Sequence, residues 1–163
     1  MNVATDTCII INLLHVNRLD LLGAVPPYVF HVPPEVVAEI EYPDQQHAVQ
    51  EAIEKGWIRQ TRLEDPLELQ TFARATAQLG KGESACIALA EKRNWVLGTD
   101  DSKGAKWKKV ISAPGIQILN TPGIILLAIR NGVLTLQQAD EIKHTLEKNR
   151  FQMGFRSFGD IGP

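Results

Sequence analysis

Short apolar runs alternate along this chain with longer segments of helical periodicity, and this alternation limits the possible folds more than any other feature. The candidate strands are residues 2–6, 28–32, 57–61, 95–98 and 116–119, each short and bounded by turn-forming residues, as buried parallel strands tend to be. The candidate helices are residues 12–22, 34–41, 45–55, 66–79, 82–93, 103–110, 122–131 and 136–150. The pattern predicts an α/β fold with a parallel sheet and helices on both faces.

Composition limits the class of protein. The 163 residues carry a net charge of −2 and contain 44% hydrophobic residues, with no repeat, low-complexity segment or linker, so one domain over 1–163 is expected. A site for a polyanion would have to be a local basic patch. Cys8 and Cys86 lie in apolar surroundings without metal-ligand spacing, which favours buried free thiols in a reducing cytoplasm. The start of the chain does not resemble a signal peptide, and its apolar runs are too short to span a bilayer.

Carboxylates follow two of the predicted strands. Asp6 ends the first strand, and Asp100 with Asp101 follows the fourth in "VLGTDD". Two further acids belong to helices near strand ends, Glu39 in "VPPEVVAEI" and Glu83 in "GKGESACIALAEKRN". Parallel strands end at the same edge of the sheet, so these acids are expected to meet there. Ligands of open α/β sheets bind outside the carboxyl ends of the strands, which makes this edge a candidate site.

Each acid also has a purely structural interpretation. An Asp after a strand commonly caps the next helix, a Glu in a first turn interacts with the helix dipole, and Glu39 alone fits a solvated helix face. Their joint placement favours a different explanation, because converging carboxylates repel each other unless a cation is present. Oxygen ligands without His or Cys indicate Mg²⁺ or Mn²⁺.

Four motifs in this order resemble the PIN domain, a family of Mg²⁺/Mn²⁺-dependent nucleases that includes toxin ribonucleases of toxin–antitoxin pairs. They are the Asp-Thr step in "ATDTCIIINLL", Glu39 on the second helix, Glu83 after a Gly-rich turn, and the Thr-x-Asp step of residues 99–101. The stretches "LGKGESACIALA", "NTPGIILLAIRNGVLT" and "NRFQMGFRS" are similar to those of VapC-like members. The resemblance covers nearly the whole chain and implies a three-layer α/β/α sandwich around a roughly five-stranded parallel sheet.

The resemblance also implies roles for individual residues. Asp6 would be the central metal ligand, completed by Glu83 and Asp101, with Asp100 as an additional candidate ligand. Glu39 would bind metal directly or through water, or orient the attacking water. The hydroxyls of Thr7 and Thr99 would hydrogen-bond a ligating carboxylate or a metal-bound water, although turn and cap roles explain them equally well.

A basic segment, "SKGAKWKK", follows the acids immediately. Its lysines could contact RNA phosphates, while Trp107 either stacks on a base or faces the core. The lysines are Lys103, Lys106, Lys108 and Lys109.

The resulting hypothesis is a metal-dependent ribonuclease, with RNA, a cognate antitoxin and a second copy of the chain as expected partners, and no membrane. The alternative is a PIN fold that binds RNA or another protein without catalysis; loss of acids would be its sign, and all four are present. Receiver domains and phosphatases of the haloacid-dehalogenase type fit poorly. The first type has its acidic pair early in the chain, and the second has an Asp-x-Asp step where this chain has Asp6-Thr7-Cys8.

Overall fold

A parallel sheet forms the centre of the protein in a computed structural model that describes residues 1–101, 110–111 and 115–162. Its strands are β1 (Asn2–Thr5), β2 (Val29–Val32), β3 (Ile58–Gln60), β4 (Val96–Gly98) and β5 (Ile118–Leu119). They lie in the order β3-β2-β1-β4-β5, and each neighbouring pair is parallel. This confirms the predicted α/β fold with a five-stranded parallel sheet.

Helices cover both faces of the sheet. They are α1 (Thr7–His15), a 3-10 helix (Leu19–Gly23), α2 (Pro34–Ala38), α3 (Pro43–Glu54), α4 (Pro66–Ala75), α5 (Lys81–Arg93), α6 (Thr121–Arg130), α7 (Leu136–Lys148) and α8 (Phe158–Ile161). Helix α5 packs on β1 and β4 and against α2 and α4, whereas α1 packs with α6, α7 and the 3-10 helix. In the described part of the chain, every helix is too short or too polar to cross a membrane.

The first helix begins five residues earlier than the sequence pattern predicts. It starts at Thr7 rather than at residue 12, because Asp6 ends the strand segment and caps the helix. The pattern misplaces this start because the run is apolar on several sides. Ile9, Ile10 and Leu13 are fully buried, and their partly buried neighbours also pack against the core, so the polar stripe of an amphipathic helix is missing.

Other boundaries differ by smaller amounts. Residues predicted to end the first helix form the separate 3-10 helix, and α2 ends at Ala38 with Glu39 as its C-cap instead of reaching residue 41. The short helix α8 was not predicted; Ser157 and Asp160 form a capping box that supports it. The predicted helix over residues 103–110 lies outside the described residues except for its last position.

The order of the strands changes direction once, between β1 and β4. From β1 the chain builds β2 and β3 on one side, then returns to build β4 and β5 on the other. The carboxyl ends of β1 and β4 are therefore neighbours, and the backbone N–H of Asp6 donates to the carbonyl of Gly98 at 2.8 Å. Such a switch point is where open α/β sheets bind ligands.

A buried histidine in β2 links stability to pH. His31 is 7% exposed, and its two ring nitrogens lie 2.8 Å from Thr61 Oγ1 and 3.1 Å from Asn2 Oδ1. Burial, followed by the positive charges of Arg59 and Arg93, lowers the pKa of His31 to about 4. Between an unfolded-state pKa of about 6.5 and this value, only the unfolded chain takes up the proton. The free energy of unfolding should therefore fall as pH falls, by at most about 1.4 kcal/mol per pH unit.

Denaturant unfolding at pH 7, 6 and 5 tests this expectation when the native protein is compared with His31→Gln. The difference between the two isolates His31 from carboxylates that titrate in the same range. The free energy of unfolding of the native protein, relative to that of His31→Gln, is expected to fall as the pH is lowered to 5. A difference between the two proteins that does not depend on pH would contradict this expectation.

Candidate active site

Asp6 stands at the end of the central strand, where the residue is 8% exposed and its carboxylate is held at both oxygens. Oδ1 accepts the backbone N–H of Thr7 at 2.8 Å, the bond by which Asp6 caps α1. Oδ2 accepts from Cys8 Sγ at 3.2 Å and from Thr99 Oγ1 at 3.4 Å. The carboxylate is thus oriented by donors from both neighbouring strand ends.

Glu39 is joined to Asp6 through the intervening Thr7. The hydroxyl of Thr7 donates to Glu39 Oε2, and the backbone N–H of Gly82 donates to Glu39 Oε1 at 2.8 Å. Gly82 lies in the first turn of α5, so Glu39 connects the end of α2 to the start of α5. A Cβ atom on Gly82 would lie 2.5 Å from Glu39 Oε2, which explains why glycine fits this position.

The negative charges around α5 affect one another. Burial raises the pKa of Asp6, and the neighbouring charge of Glu39 raises it further, although three hydrogen bonds oppose the shift. Cys86, fully buried in α5, has a pKa raised by burial and then by several negative groups, among them Asp6, Glu39 and Glu35. The charges of these three carboxylates therefore all act on the same buried position of α5.

Asp100 has a different environment from the other acids. Its Oδ1 accepts the backbone N–H of Thr121 at 2.7 Å, and its Oδ2 accepts from Thr121 Oγ1 at 2.5 Å and Asn12 Nδ2 at 2.8 Å. Burial raises its pKa, against the effect of these bonds. The Asp100 carboxylate thereby fastens the start of α6 to α1.

The other predicted acids, Asp101 and Glu83, lie one or two positions along the chain from residues that contact Asp6 and Glu39. Asp101 is exposed, and its backbone N–H donates to Thr99 Oγ1 at 3.2 Å. The same hydroxyl of Thr99 contacts Asp6. Glu83 is half-buried in the first turn of α5, next to Gly82. The structure thus brings Asp6, Thr7, Glu39 and Thr99 into contact, while the Asp100 side chain binds elsewhere. The four lysines of the basic segment lie outside the described residues.

Several contributing residues escape prediction from sequence. Asn12 and Thr121 bind Asp100 across distant segments, and Cys8 contacts both its neighbour Asp6 and the distant backbone of Asp100, for which the sequence gives no signal. Glu35 has a weak signal, since it lies four residues before Glu39 and shares its helix face. Its Oε2 is buried and accepts no hydrogen bond from any residue that the structure describes.

The donor chemistry of this cluster suits a hard divalent cation. Asp6 and Glu39 offer carboxylate oxygens, and the pKa of Asp6 is raised mainly by burial, with a smaller contribution from the charge of Glu39. Among residues 1–101, 110–111 and 115–162, no three His, Cys, Asp or Glu side chains are already grouped as a metal site. The full ligand set accordingly stays a prediction.

A family model described as a PIN domain matches residues 2–158. No curated protein matches the chain. No solved structure matches it either.

Proposed function

The chain belongs to the PIN-domain family, and we propose that it is a Mg²⁺- or Mn²⁺-dependent endoribonuclease. PIN domains are generally metal-dependent nucleases. The observation that carries the proposal is the contact of Asp6 with Thr99 and, through Thr7, with Glu39, at the switch point of the sheet. The expected substrate is single-stranded or structured RNA, and the VapC-like stretches support a role as the toxin of a toxin–antitoxin pair.

In phosphodiester hydrolysis, some of these residues would bind the metal ion and others would orient its ligands. Asp6, Glu83 and Asp101 would hold the cation, with Asp100 as an additional candidate ligand. When bound, a divalent ion lowers the pKa of a water molecule and neutralises phosphate charge. Thr7 and Thr99 keep the Asp6 and Glu39 carboxylates oriented, and Glu39 would bind metal or orient the attacking water. Gly82 holds Glu39 in place through its backbone N–H.

The partners follow from the same proposal. The basic lysines after Asp101 would contact RNA phosphates, since they come directly after the acids on a slightly acidic protein. A cognate antitoxin and a homodimer are the proposed protein partners. Their test is co-expression with the product of a neighbouring small reading frame, followed by measurement of the mass of the purified assembly.

Cleavage of end-labelled RNA with added metal tests the central proposal. We expect cleavage with Mn²⁺ or Mg²⁺, none with EDTA, and binding without turnover with Ca²⁺, which tolerates geometries that do not position a nucleophile. Mn²⁺ should also raise the melting temperature, because it binds the folded site and not the unfolded chain. RNA binding without cleavage under every metal condition would favour the non-catalytic alternative, and an unchanged melting curve would favour simple helix capping by the acids.

Gly82→Ala should separate activity from stability. The new Cβ would lie 2.8 Å from Glu39 Cδ and displace this flexible side chain, so cleavage should fall strongly. Stability should change little, because the preference of helices for alanine over glycine, about 0.5–1 kcal/mol, offsets the hydrogen bonds that the displaced Glu39 loses. The matched control is Gly80→Ala, whose Cβ would lie 3.6 Å from Glu39 Oε1, an ordinary contact distance. Native cleavage activity in both variants would show that the placement of Glu39 is unimportant.

A further inference from the structure

The sulfur of Cys8 lies at the meeting point of three polar groups from two strand ends. Cys8 Sγ is 3.2 Å from Asp6 Oδ2 and 3.7 Å from Thr99 Oγ1. The backbone N–H of Asp100 donates to the same sulfur at 3.2 Å. Cys8 belongs to α1, so this atom connects the first turn of that helix to the chain segment after β4.

These contacts use both hydrogen-bonding capacities of a thiol. The S–H group donates to the Asp6 carboxylate, while the sulfur accepts the N–H of Asp100, which would otherwise need another acceptor. Asp6 Oδ1 is already fixed by the cap of α1, so a donor to Oδ2 sets the plane of the carboxylate. A carboxylate offers about four lone-pair positions, so three donors still leave room for a cation.

We propose that Cys8 is a positioning residue of the nuclease site, in which its thiol holds Asp6 and the Asp100 backbone in fixed relation. The inference rests on the proposed function, because Asp6 is taken there as the central ligand. The thiol itself contacts neither RNA nor the reacting atoms. Its effect is to keep the Asp6 carboxylate in one orientation and the segment that carries Asp101 at a fixed distance from it.

Three variants separate positioning from simple packing. Cys8→Ala removes the donor and the acceptor, Cys8→Ser restores both on a shorter side chain, and Cys86→Ala removes a sulfur from the buried core of α5. Each variant is measured for Mn²⁺ affinity by calorimetry, for kcat and KM on a fixed RNA, and for melting temperature. The calorimetric measurement requires no RNA and no turnover.

We expect Cys8→Ala to bind Mn²⁺ more weakly and to lose about 10–100-fold in kcat with little change in KM, as for other groups that orient a metal ligand. Cys8→Ser should recover most of both quantities, and Cys86→Ala should lower the melting temperature without changing Mn²⁺ affinity.

Unchanged Mn²⁺ affinity and kcat in Cys8→Ala, with native binding intact, would overturn this inference alone. Failure of the serine variant to recover either quantity above the alanine level would also overturn it. If the native protein binds no Mn²⁺, the proposed metal site fails and the inference fails with it. Mn²⁺ binding that depends on Cys8 in a protein that cuts no RNA would support the positioning of Asp6 by Cys8 for metal binding and would reject the nuclease.

Discussion

Asp6→Asn is expected to abolish RNA cleavage while leaving the fold intact or slightly more stable. The amide keeps one oxygen for the cap bond to Thr7, and Asn is as good an N-cap as Asp, so α1 should still form. The activity should disappear because a neutral amide cannot replace the central carboxylate. Burial and the charge of Glu39 raise the pKa of Asp6, so its ionised form opposes folding at neutral pH, and the amide removes that cost.

Cleavage at saturating Mn²⁺, together with denaturant unfolding, measures both effects. The matched control is Asp44→Asn, an exposed acid in the first turn of α3, which should keep native activity. Asp6→Ala provides a further comparison, since it should lose activity and also about 1 kcal/mol of stability with the cap. Native turnover by Asp6→Asn would remove Asp6 from the mechanism.

Asp101→Asn and Asp100→Asn are expected to have very different effects although the residues are neighbours. Asp101 is exposed beside the hydroxyl that contacts Asp6, and its loss as a ligand should nearly eliminate turnover. The Asp100 carboxylate accepts three hydrogen bonds from Thr121 and Asn12. If Asp100 supports the site without binding metal, its replacement by Asn should cost about 10–100-fold in activity, as is typical of groups that orient metal ligands.

Alanine variants separate the two roles further. Asp100→Ala leaves the donors of Thr121 and Asn12 without their acceptor and should lower the free energy of unfolding by about 1–3 kcal/mol. Asp101→Ala should leave stability close to native, since surface substitutions usually change it by less than about 0.5 kcal/mol. If Asp100→Asn is inactive and Asp101→Asn mild, the ligand is Asp100; if neither matters, the acids serve only as caps.

The sheet was predictable because its signal is local. Each strand is a short apolar run between turn residues, and the alternation with helices implies parallel pairing, so five strands were found close to their observed bounds. The start of α1 was not predictable in the same way. This helix is buried on several sides, so its sequence is apolar almost throughout. It therefore lacks the polar stripe by which a helical period is recognised in a sequence.

The meeting of the two strand ends that carry Asp6 and Asp100 was predictable, but the contacts of these acids were not. Parallel strands bring their carboxyl ends to one edge, which was enough to predict that Asp6 and the segment after β4 would meet. The partners of each carboxylate depend on side-chain geometry across distant segments. The hydrogen bonds of Thr121 to Asp100 and of Gly82 to Glu39 could not be predicted, because neither pair has a recognisable spacing in the sequence.

The bonds between Asp100 and Thr121 bear on the order in which the site is completed during synthesis. All five candidate acids have been translated once the chain reaches Asp101, but the partner that fixes Asp100 comes 21 positions after it. A growing chain on the ribosome is surrounded by RNA throughout this interval. The fastening of α6 to α1 becomes possible only after α6 has emerged, so the nascent chain carries every candidate acid before it can hold Asp100 in its final position.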